Sequence, residues 1–156
     1  MSNSQIKSKK RVQKFAEVFT NEREVKAMCD LIPCEVWQNI ESTFLEPACG
    51  TGNFLAEILE RKLKLCESEK DGLKALNSLF GIDIQEDNVK ECRERLLNIY
   101  KAYFPKANEF ALTVAMKFLK THIVCDDMLN PQTETVKSWG ITADKNYVKF
   151  LRKRKC

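Results

Sequence analysis

No stretch of this chain approaches the roughly 18 uninterrupted apolar residues that a membrane-spanning helix needs. The polar opening MSNSQIKSKKR has no apolar signal core behind it. A soluble, cytoplasmic protein without membrane attachment is expected. Cys-x-x-Cys pairs are missing too. The seven cysteines (Cys29, Cys34, Cys49, Cys66, Cys92, Cys125, Cys156) are odd in number and scattered, which argues against both a disulfide frame and a zinc site. Reduced thiols and no metal are expected. Histidine occurs once, as His122 in the apolar run THIVC, where it reads as a packing residue at a strand end rather than a catalytic base. Internal repeats and low-complexity linkers are absent as well.

What is present suffices for one ordinary domain, since 156 residues at 44 % hydrophobic can bury a core. Charge is unevenly placed. Residues 1–14 hold five basic side chains and residues 145–156 hold six, with no acid in either stretch. The remaining 15 of the 26 bases face all 22 acids, which makes the middle of the chain net −7. A body of that sign does not bind a nucleic acid backbone by itself, because phosphate contacts need clustered Lys and Arg. Only the ends could, and both read as solvated tails, over 1–14 and 151–156, around a domain at 15–150.

Hydrophobic periodicity alternates between helix and strand. NEREVKAMCDLIP reads as a helix capped by Asn21, with Val25, Met28, Cys29 and Ile32 on one side and Pro33 ending it. STFLEP reads as a first strand. From Asn53, the residues Phe54, Leu55, Ile58, Leu59, Leu63 and Cys66 recur at helical spacing. A short helical piece near LKALNS leads into a second strand, LFGIDI. A helix opening at Glu86 or Asp87 then carries Val89, Cys92, Leu96, Leu97, Tyr100 and Tyr103 as its apolar stripe. NEFALTVAMKFLK reads as a further helix, THIVCDD as a third strand and NYVKFL as a fourth. This order predicts an α/β fold, a parallel sheet with flanking helices.

In such sheets ligands bind beyond the carboxyl ends of the strands, which here read EPACGTG, GIDI and CDDML. Gly50 and Gly52 allow a sharp turn that brings main-chain amides near a ligand, and the helix from Asn53 adds its positive end. Leu55 stands where a dinucleotide fingerprint needs its third glycine, and no Gly-Lys-Ser/Thr follows, so dinucleotides and nucleoside triphosphates are disfavoured. Glu46 at the loop's start would repel a pyrophosphate and suit a cationic ligand. Asp83 can accept hydrogen bonds from two ribose hydroxyls, with Ile84 as an apolar plate for an adenine. Asp127 can accept from an exocyclic amine, and Met128 can pack on the ring. A sulfonium nucleoside with an amino acid tail fits all three ends.

These residues resemble the S-adenosylmethionine-dependent DNA methyltransferases that modify adenine N6, as found in restriction-modification systems, in the group with an N-terminal methionine-binding motif. EPACGTGNFL is similar to that family's main cofactor motif, and FGIDIQEDNVKECRERL to its ribose-binding motif with the following helix. IVCDDML resembles the adenine-binding motif, and FAEVFTNEREVKAM the N-terminal motif written Phe-Thr-Pro. The resemblance covers roughly residues 15–130 and implies a Rossmann-like fold that binds S-adenosylmethionine. By it, Phe19 and Thr20 would contact the methionine part, and Glu46, Pro47, Ala48, Cys49, Gly50, Gly52, Asn53 and Phe54 would form the loop and helix start around it. Asp83 would hold the ribose, with Ile84, Asp127 and Met128 around the adenine.

The pattern is not complete. Asn21 replaces the usual proline, and the Asn/Asp-Pro-Pro-Tyr/Phe motif, which holds the flipped base in that family, is missing. NPQT at Asn130–Thr133 keeps its first two residues only, lacks the aromatic ring and reads as a turn. The expected place of the motif is after NYVKFL, so the sheet reads as incomplete and no catalytic residue is assigned. Pro33-Cys34 precedes the cofactor loop, which excludes it as a cytosine-C5 nucleophile and leaves Cys34 as a helix-end residue. Cys49 reads as a small side chain under the ligand. Two functions follow as expectations: the cofactor-binding part of an adenine-N6 DNA methyltransferase, either shortened or completed by a second chain and inactive as this chain alone, or a non-catalytic remnant or regulatory module that binds the cofactor. DNA is a partner of the complete enzyme only.

Overall fold

A computed structural model describes residues 7–15, 20–139, 142–144 and 147–149. The elements in order are α1 (Lys9–Phe15), α2 (Glu22–Asp30), α3 (Cys34–Gln38), β1 (Phe44–Glu46), α4 (Asn53–Leu63), α5 (Glu69–Asn77), β2 (Leu79–Asp83), α6 (Glu86–Tyr103), α7 (Glu109–His122), β3 (Ile123–Cys125), α8 (Glu134–Ser138), β4 (Thr142–Asp144) and β5 (Tyr147–Lys149). Side-chain caps set several helix starts. Asn21 accepts from the Glu24 N–H at the head of α2, and Ser68, Asn108 and Thr133 do the same for α5, α7 and α8.

The sheet runs β1-β2-β3 with both pairings parallel. Phe44 lies opposite Leu79, and Ile82 opposite Val124. Side chains alternate between its faces. On one face Leu79 and Ile123 join Leu55, Leu59, Leu63, Leu76, Val89, Cys92, Leu96 and Tyr100 in the core built with α4, α5 and α6. A Cβ added to Gly81 would meet Leu55 and Cys49 on this side. The other face carries Ile82 and Val124, covered by Val136 of α8 with Leu45, Met128 and Trp139. The three-stranded parallel sheet with flanking helices is consistent with the Rossmann-like expectation.

Three local readings change. NYVKFL supplies no fourth parallel strand. Its residues Tyr147–Lys149 pair antiparallel with Thr142–Asp144 in a separate two-stranded ladder. His122 ends a helix instead of a strand, stacked on Phe80 at 4.2 Å between ring centroids, because the helical period of α7 runs to the strand without a break. Met28 is 54 % exposed while its neighbours Val25 and Cys29 are buried, since α2 offers only a narrow stripe to α4. Cys34 opens the short helix α3 and is exposed.

Where a solvated tail is expected over 1–14, residues from Lys9 are helical and two of the five basic groups are paired. Lys7 and Arg11 pair with Asp87 and Glu91 at the start of α6. Residues 151–156 lie outside the described part.

Candidate functional site

The three strand ends are tied together at β2. Cys49 donates its N–H to the Ile82 carbonyl at 2.8 Å, and Asp126 donates its N–H to the Asp83 carbonyl at 3.1 Å. The Asp83 carboxylate closes the set: Oδ2 accepts from the Gly50 N–H at 2.9 Å, and Oδ1 from the Gln85 N–H at 2.8 Å. Asp83 therefore shapes the glycine loop.

Gly50 and Gly52 hold φ values of 51° and 85°, a left-handed conformation that side chains with a Cβ resist. Because Gly52 is the N-cap of α4, no side chain caps that helix. Its first backbone N–H groups remain for a ligand, and the helix dipole favours a negative one such as a carboxylate. Thr20, Glu46, Ala48, Cys49, Gly50, Asn53 and Phe54 line a pocket of about 120 Å³ at this helix start. Asn53 fixes the wall opposite the loop. Its amide donates to the Thr20 carbonyl at 2.8 Å and its oxygen accepts from Arg95 at 2.6 Å.

Glu46 gives the pocket its sign. Burial pushes its carboxyl above the usual carboxylate range, opposed only by the Ala48 N–H at 3.4 Å. A carboxylate so poorly solvated is stabilised by a cation that enters beside it. Cys49 is buried, and its thiol is pushed far up by a hydrogen bond with Cys92 and by desolvation. A neutral thiol of that kind is no nucleophile.

The pocket holds seven of the residues that the sequence motifs single out, and the others stand around it. Gly52 is buried in the turn and Pro47 is half-buried beside it. Asp83 ends β2, and Ile84 is 50 % exposed after it, as an apolar plate would have to be. Asp127 is exposed after β3, while Met128 is half-buried against the Ile82, Val124 and Val136 cluster. Phe19 lies outside the described residues.

Asp126 and Asn88 escape a reading of motifs. Of the two adjacent acids in CDDML, the motif points to Asp127, yet Asp126 is the buried one. Desolvation works against its charge, but the Gln132 N–H, the Thr133 hydroxyl and the N–H groups of Thr133 and Asp127 outweigh it and keep the carboxyl below its ordinary value. Asp126 thereby fixes the turn that carries Asp127 and Met128, and it explains NPQT as a turn leading into the Thr133 cap. The doublet of acids before an Asn-Pro is the only signal for it in the sequence. Asn88, buried, donates to Asp83 Oδ1 at 3.3 Å.

Compared with known proteins, an 80-residue stretch is 35 % identical to the Type II methyltransferase M.VspI of Vibrio sp. (strain 343). That stretch is 51 % of this chain and 16 % of the relative, so the chain matches only a small part of it. No model of a known protein family matches, and no solved structure does. Among the described residues no helix is long and apolar enough to cross a membrane.

Proposed function

We propose that this chain is the cofactor-binding part of a DNA adenine-N6 methyltransferase of restriction-modification type, with S-adenosylmethionine as its cofactor. The observation that carries the reading is the junction of the three strand ends, which brings an uncapped helix start, a desolvated acid, a ribose-competent acid and an apolar plate to one end of the sheet. The residues fit the group. Glu46 suits the cationic end, the start of α4 suits a carboxylate, Asp83 suits a ribose and Ile84 with Asp127 suits an adenine. A 120 Å³ pocket takes the amino acid tail only, and the nucleoside would lie outside it. The bound cofactor supplies an electrophilic methyl group, and this chain's residues hold and orient it. The likeness to a named methyltransferase adds independent support.

Calorimetric titration with S-adenosylmethionine or S-adenosylhomocysteine tests the proposal. Asp83→Ala should weaken binding by about 1.5–3 kcal/mol, the worth of hydrogen bonds to a charged acceptor. Absence of binding heat for the wild type at millimolar ligand would sink it.

Nothing in this sequence supplies the pocket for an extruded base, because no Asn/Asp-Pro-Pro-Tyr/Phe occurs in it. The chain alone should therefore transfer no tritium from labelled cofactor into unmodified DNA, and a second chain with that motif and a DNA-recognition part should restore transfer. Label in DNA without a partner would refute this. The same missing motif favours a second reading, a module that binds the cofactor without catalysis, in which no partner restores transfer.

A further inference from the structure

The helix start of α6 carries a chain of contacts that reaches the site. Lys7 Nζ donates to Asn88 Oδ1 at 2.9 Å, and Arg11 donates to the same oxygen at 3.3 Å. Both cations can only donate, so they fix the amide orientation: its oxygen faces Lys7 and Arg11 and its NH2 faces Asp83. Arg11 also grips Asp87 through two bonds, at 2.7 and 3.1 Å, and Lys7 reaches Glu91 at 2.7 Å. The guanidinium of Arg11 holds the Asp87 carboxyl down to about 2.

The acceptor count on Asp83 shows what this does. A carboxylate offers about four acceptor positions, two on each oxygen. Gly50 takes one on Oδ2, while Gln85 and Asn88 take both on Oδ1. A ribose diol needs one position on each oxygen, and Oδ1 has none to spare. The Gln85 bond is short and made by backbone, so the longer one from Asn88 is the bond that must yield.

We propose that the basic segment 7–11, which runs into α1, is an autoinhibitory clasp on the nucleoside subsite: Lys7 and Arg11 lock Asn88 onto Asp83, and the nucleoside binds fully only when that lock opens. The inference rests on the cofactor reading given above. The ion pairs sit at the surface, where each is weak and salt screens it, so the clasp can open. Any polyanion that competes for Lys7 and Arg11 would open it too, which would couple the basic N-terminal segment to the cofactor site.

S-adenosylhomocysteine titrations at about 50 and about 500 mM sodium chloride decide the matter. Wild type should bind more tightly at high salt. The double variant Lys7→Ala/Arg11→Ala should bind about three- to tenfold more tightly than wild type at low salt and lose the salt response, as expected for release of one competing hydrogen bond. Asn88→Ala should reproduce the gain. Damage to the fold would weaken binding, so a gain separates the lock from a structural role. Equal or weaker binding by the folded double variant overturns the clasp and leaves the cofactor reading standing. No binding by any of the proteins removes both.

Discussion

Replacing Lys62 with methionine should cost the fold about 2–4 kcal/mol near pH 9, and less near pH 7, because two buried carbonyls lose their donor. Lys62 is fully buried on α4. Its ammonium donates to the carbonyls of Ile40 and Ser42 and to the Ser78 hydroxyl, and it stands 4.8 Å over the Phe44 ring. One side chain thus joins α4 to the approach of β1 and to the end of α5. Burial pushes its pKa down to about 7, whereas in the unfolded chain it stays near the ordinary lysine value of about 10.4. Between those values the unfolded state binds the extra proton, so stability rises with pH, by about 1.4 kcal/mol per unit. Cysteines oppose this at higher pH. Burial raises Cys29, and its hydrogen bond with Cys92 and burial raise Cys49, so the folded state keeps protons that the unfolded chain loses above about 8.5. Wild-type stability by urea denaturation should therefore climb by about 1 kcal/mol from pH 7 to a maximum near pH 8.5, then fall. Lys62→Met should show the fall without the climb. A climb that survives the substitution would show that another group titrates there.

The elements that position the site were legible wherever one physical signal dominates. Asn21 as a cap, the apolar stripes of the helices from Asn53 and Glu86, and the apolar strand LFGID need no tertiary information, and the structure has them, except that Cys66 lies beyond the end of its helix and Tyr103 is exposed. Legibility failed where a signal was shared. In THIVC the apolar run suits helix or strand equally, and the boundary falls inside it at Ile123. Tyr147–Lys149 has strand character, but an alternating polar pattern does not say which partner a strand takes, and it pairs with Thr142–Asp144. The loop around Gly50 was readable because glycines, an acid and a helix start stand next to each other. Asp126, Asn88 and Lys62 were not, since each acts on residues brought near only by folding, and a buried lysine inside LERKLKL looks like any solvated one.

Gly52→Ala is the substitution expected to be worst tolerated in the site, at about 2–4 kcal/mol, from two separable causes. The first is local. A residue with a Cβ at φ 85° costs about 1 kcal/mol. The second is packing, because the new Cβ would stand 2.5 Å from Cys92 Sγ and 3.3 Å from its Cβ. Cys92 has no exposed surface and α6 is packed against α4, so the clash adds about 1–3 kcal/mol of overpacking. A double-mutant cycle separates the two. In a Cys92→Ala background the sulfur is gone, and Gly52→Ala should then cost only the backbone share of about 1 kcal/mol. Cofactor affinity should follow the same order, since the Gly52 carbonyl accepts the first helical bond of α4, from Ala56 at 2.8 Å, and any shift there moves the pocket's wall. If Gly52→Ala costs the same in both backgrounds, Cys92 is not what keeps this position free of a side chain, and the turn alone demands the glycine.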